Sequence, residues 1–169
     1  MKQSETIWIE NLARIQLGTP LTHSHVHSIL HNSLLIFLEE LCTLMKNYTN
    51  YFNQCIKSVK PQQCIRFFET QQPRPGLILL KGSDKMIISV LGNSINVRTL
   101  QVHLNSDRNY RSYDFEARHN DHDGVFWRCI NDGQLVNPEL VAQNYLSSFL
   151  VSGCGEVPQT LRLVVATHP

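Results

Sequence analysis

Residues 119–124 read HNDHDG, which sets two imidazoles and two carboxylates, His119, Asp121, His122 and Asp123, in five consecutive positions. These groups can ligate zinc or another divalent ion, and the same side chains serve acid/base chemistry. A metal centre needs three or four convergent donors, however, and neighbours in one short loop rarely converge unaided. The longer acidic spacing of a calcium loop is missing. Asp123-Gly124 is a common hairpin dipeptide, because glycine takes positive φ at no steric cost. The expected reading is a solvated turn between two strands. The alternative is a metal-dependent enzyme that uses His119, Asp121, His122 and Asp123.

The second histidine cluster, HSHVH, contains His23, His25 and His27. In an extended chain all three share a face; in a helix His23 and His27 lie together and His25 points elsewhere. Packing or capping is preferred there to metal binding. Cys129 lies near His119 and His122 in sequence, but within VFWRCI it falls inside a strand beside Trp127. There is no G-x-S-x-G, H-E-x-x-H, G-x-G-x-x-G or phosphate loop. No cofactor and no catalytic residue is therefore expected. For single-stranded nucleic acid the candidates are Arg98, Arg108, Arg111, Arg118 and Arg128 with Tyr110, Tyr113, Phe126 and Trp127, cations beside stacking surfaces. Asp114 and Glu116 interleave with them, and Arg111 shares a strand face with Phe115, so a mixed solvated surface is the preferred reading.

These residues must be positioned by a chain of 169 residues, a length suited to one domain with a sizeable core. Fifteen Lys and Arg against fourteen Asp and Glu leave a formal charge of +1, so no general field attracts polyanions. Charged residues make up only 17% of the chain, which suggests that a partner covers some surface. Cys42, Cys55, Cys64, Cys129 and Cys154 are odd in number and form no C-x-x-C pair, and the amino terminus has no continuous apolar core of a signal peptide. A cytoplasmic location without membrane insertion is expected.

Periodicity predicts an α+β fold over residues 1–169. Leu34, Leu38, Leu41, Met45, Tyr48, Phe52, Cys55 and Val59 alternate steps of four and three, the spacing of one apolar seam on a helix. That helix is expected over about residues 23–58 within a helical region from about 5 to 58, and Pro61 ends it. At 1.5 Å per residue it reaches roughly 54 Å, so it either breaks near KNYTNY or packs outside its own domain. A short helix in ETIWIENLARIQL could cover its second side.

Between about 64 and 131, CIRFFET, LILLK, MIISVL, INVRTLQVHLN, YRSYDFEAR and VFWRCI read as strands of a five- or six-stranded antiparallel sheet with one wet face. A bulge near Thr99 would reconcile Ile95 and Val97 with Leu100, Val102 and Leu104. A second helix over about 138–152 has Asn137 as its cap and Leu140, Val141, Tyr145, Leu146, Phe149 and Leu150 on its apolar face. Residues 158–169 form an edge strand or a loose tail.

The functional expectation is a non-catalytic protein-interaction or assembly module. Its partner is another copy or another protein, not nucleic acid, and self-association runs through Leu34, Leu38, Leu41, Met45, Tyr48 and Phe52. A metal-dependent enzyme and a single-strand binder are the alternatives.

Overall fold

The computed structural model describes residues 23–70, 75–102, 108–120 and 124–151. One antiparallel sheet contains seven strands in chain order: β1 (Arg66–Thr70), β2 (Gly76–Lys81), β3 (Asp84–Leu91), β4 (Ser94–Val102), β5 (Arg108–Asn120), β6 (Gly124–Cys129) and β7 (Leu135–Val136). The long helix α1 (His23–Ile56) precedes the sheet and the shorter α2 (Pro138–Val151) follows it. The α+β class, the antiparallel sheet and both helices match the sequence reading. The extra strand, β7, has only two residues. The segment ETIWIENLARIQL and the tail 158–169 lie outside the described residues.

The turns explain why neighbouring strands pair in sequence order. Lys81 faces Asp84 and Leu91 faces Ser94 across two-residue connections, led by Gly82 at φ 58° and Gly92 at φ 63°. Positive φ at the first loop residue gives a turn whose twist suits a hairpin. At Gly76 the constraint is space: a Cβ there would lie 2.3 Å from the Ile88 carbonyl oxygen.

Directly opposed residues share a sheet face. The row Val90, Ile95, Phe115 and Cys129 and the row Leu77, Ile88, Val97 and Tyr113 therefore point the same way. They meet Leu34, Leu38, Leu41 and Met45 of α1, and Val141, Leu146 and Phe149 of α2, in one core. Tyr145 extends it edge-on to Tyr113 and Phe115, with ring centroids 4.8 and 5.6 Å away. Both helices thus cover one face of the sheet.

The α1 helix crosses the strands. Near its start, Trp127 on β6 donates a 3.0 Å hydrogen bond to the Ser33 hydroxyl and stacks 4.3 Å from Phe37. Further along, Lys46 pairs with Glu69 on β1, and Asn53 exchanges two 2.7 Å hydrogen bonds with the Ile65 backbone. From β6 to β1 is five strand spacings of about 4.8 Å. Ser33 to Lys46 covers about 20 Å of helix, which fits that traverse. The helix is continuous over 34 residues and does not break near KNYTNY. By length and apolar content Val26–Ile56 could also cross a bilayer. A core helix meets the same requirement, and here Leu34, Leu38, Leu41 and Met45 of α1 are covered by the sheet and α2, while Leu35, Ile36 and Tyr51 are exposed.

Two expectations need correction or completion. The β4 register runs without an inserted residue against both β3 and β5, so there is no bulge near Thr99. Thr99 is buried and continues the core face after Ile95 and Val97, while Leu100 lies on the other face. The α2 start follows the expected cap: the Asn137 Oδ1 accepts a 2.7 Å hydrogen bond from the Leu140 amide, and Pro138 occupies the first turn.

Candidate functional site

The HNDHDG segment joins β5 to β6, with His119 opposite Val125 and Asn120 opposite Gly124 at φ 78°. That is the hairpin setting in which the glycine is needed. His119 lies on β5 and is half-buried. Asp121, His122 and Asp123 fall outside the described residues. Among the described residues no group of three His, Cys, Asp or Glu side chains converges to hold a metal. In HSHVH, His23 and His25 begin α1, where His27 is exposed.

Two thiols, Cys129 and Cys42, have the wrong electrostatics for nucleophiles. Burial pushes the Cys129 thiol up, and burial lifts Cys42 to about 11. An activated cysteine has a lowered value that favours thiolate. Cys129 and Trp127 are both buried on the core face, as their strand positions imply.

The expected interface seam divides in two. Leu34, Leu38, Leu41 and Met45 are at most 4% exposed and belong to the chain's own core. Tyr48 and Phe52 are half-buried. They line an apolar groove of about 400 Å³ between α1 and α2, together with Tyr51, Cys55, Leu146 and Leu150. Four of the six positions are therefore covered by the sheet and α2, and only the last two border open surface.

The arginine set is also divided. Arg98, Arg118 and Arg128 lie on the outer sheet face with Tyr110 and Phe126. Arg111, Tyr113 and Trp127 lie on the helix side, where Arg111 and Tyr113 border a smaller cleft of about 200 Å³ with Tyr145. Arg118 and Arg128 both pair at 2.8 Å with Glu116. Burial alone would raise the Glu116 carboxyl, but hydrogen bonds from Arg128 and Arg118 outweigh it and hold it below its ordinary range. Asn96, 1% exposed, is the centre of a second polar cluster. It donates to Asp114 at 2.7 Å and Ser112 at 2.9 Å, and accepts from Arg98. Of Arg108, only the backbone pairing with Val102 is described.

The sequence reading missed an apolar region on that outer face. Two neighbouring cross-strand rows run Arg66, Leu80, Lys85, Leu100, Tyr110 and Phe68, Ile78, Ile87, Arg98, Ser112. Phe68 and Tyr110 are 49% and 59% exposed, while Ile78, Leu80, Ile87 and Leu100 are half-buried. Both described helices are on the opposite face, so no described helix covers this region. Its signal was the continuity of LILLK and MIISVL: an unbroken apolar run places aliphatic side chains on both faces of a sheet. Comparisons with family models, curated proteins and solved structures find no match to this chain.

Proposed function

We propose that this chain is a non-catalytic protein-interaction module that binds through the outer face of its sheet. The observation that supports it is the set of six apolar side chains, Phe68, Ile78, Leu80, Ile87, Leu100 and Tyr110, in two neighbouring rows across β1 to β5, placed where neither described helix lies. A strand face turned to water ordinarily alternates to polar residues, and contiguous exposed apolar surface marks interaction sites. Long-helix self-association has less support, since Leu34, Leu38, Leu41 and Met45 are used internally.

The test uses the tagged full chain, chemically cross-linked in cells that express it, with three variants. Phe68→Ser combined with Ile87→Ser disrupts the outer face; Tyr51→Ser and Val59→Ser alter exposed apolar positions away from the sheet. The reading expects a partner retained by the wild type and both single variants but lost from the double variant. Equal retention by a folded double variant contradicts it. Light scattering on the same panel shows whether the partner is a second copy.

A further inference from the structure

Resting on the outer sheet face as the binding surface, we infer that its occupant is a segment of another protein that presents aliphatic side chains flanked by carboxylates. The centre of the face is aliphatic, with Ile78, Leu80 and Ile87 on adjacent β2 and β3 and Leu100 beyond them. Arg66 and Lys85 flank Leu80 in one cross-strand row, and Arg98 is opposite Ile87 in the next. The partner's apolar side chains gain by leaving water, while its carboxylates meet cations at the rim.

The charges of this face are unequal. Its described basic side chains are Arg66, Lys85, Arg98, Arg118 and Arg128, and the acids on the same strand faces are Asp114 and Glu116. Both acids are already engaged: Asp114 accepts from Asn96, and Glu116 holds Arg118 and Arg128. Arg66 and Lys85 have no ion-pair partner among the described residues. The unspent charge is positive and lies next to Leu80 and Leu100, in the same cross-strand row.

That imbalance selects among occupants. A second copy docked face to face would set like cations against one another around a two-fold axis, an unfavourable arrangement. Single-stranded nucleic acid would meet the cations, but it needs closely spaced aromatic platforms. Phe68 and Tyr110 are on β1 and β5, four strand spacings or about 19 Å apart, with aliphatic residues between them. An acidic, aliphatic segment satisfies both the centre and the rim.

Fluorescence anisotropy of the full chain can test the chemistry directly. The probes are a labelled short peptide in which leucines alternate with glutamates, its counterpart with lysines for the glutamates, and a mixed-sequence DNA single strand. The acidic peptide should bind about tenfold more tightly than either other probe and should weaken as salt rises. Arg66→Glu combined with Lys85→Glu should reduce its affinity about tenfold, while Lys57→Glu with Lys60→Glu, in the exposed turn that follows α1, should not. Circular dichroism checks that both variants fold. No binding, equal binding of the two peptides, preference for DNA, or insensitivity to Arg66 and Lys85 would overturn the inference. If cellular capture still depends on Phe68 and Ile87 while the acidic peptide fails, the partner chemistry is wrong and the binding face stands.

Discussion

Leu41→Ala separates an internal seam from an exposed one. Leu41 is fully buried in the core shared by α1, α2 and the sheet, so truncation removes buried methyl groups and leaves a cavity. Such changes cost about 2–5 kcal/mol, and about 3 kcal/mol is expected here. For a chain of this size that lowers Tm by about 10 °C. Phe52→Ala, at the half-buried groove, should cost roughly 1 kcal/mol, scaled from its partial burial. Thermal unfolding followed at two protein concentrations gives both values. The expected loss for Leu41→Ala is the same at each concentration, because the lost contacts are within one chain. A nearly unchanged Tm when dilute, with a large loss only when concentrated, would refute internal packing and restore the seam as an interface between copies.

Three further perturbations follow from individual contacts. Thr49 is fully buried, and its hydroxyl has no hydrogen-bond partner among the described residues; Thr49→Val should raise stability by about 1–2 kcal/mol in urea unfolding. Gly76→Ala puts a methyl against the Ile88 carbonyl and should destabilise by about 2 kcal/mol or more, visible as a lower urea midpoint. Glu116 has a lowered folded-state pKa, so its stabilising pairing is present above the unfolded carboxyl value and is lost as pH falls through the folded one. The urea-midpoint gap between wild type and Glu116→Gln should therefore shrink from about pH 7 to about pH 3, and it amounts to less than about 1 kcal/mol because the arginines are largely exposed.

Elements were legible where one face alone determined the pattern. The four-and-three spacing from Leu34 shows that α1 has an apolar side, and Asn137-Pro138 marks the start of α2. The same spacing cannot show what covers the stripe, because a sheet and a second helix impose the same requirement. Here the sheet and α2 cover its first four positions. Around Thr99 the alternation misled: a buried threonine sits on the core face, and Leu100 joins an outer face that is itself apolar. That apparent parity shift reflected two apolar faces rather than a bulge. A strand as short as β7 carries no period, and the convergence of Asn96, Arg98 and Asp114 depends on pairing between β4 and β5 that neither segment displays alone.

The most direct measurement of the binding claim is a methyl NMR titration of the full chain, labelled at isoleucine and leucine, with the alternating leucine–glutamate peptide. Saturable shifts should concentrate at Ile78, Leu80, Ile87 and Leu100, with Leu146 and Leu150 unmoved. Shifts confined to Leu146 and Leu150 would place the partner in the helix groove and contradict the outer sheet face as the binding surface.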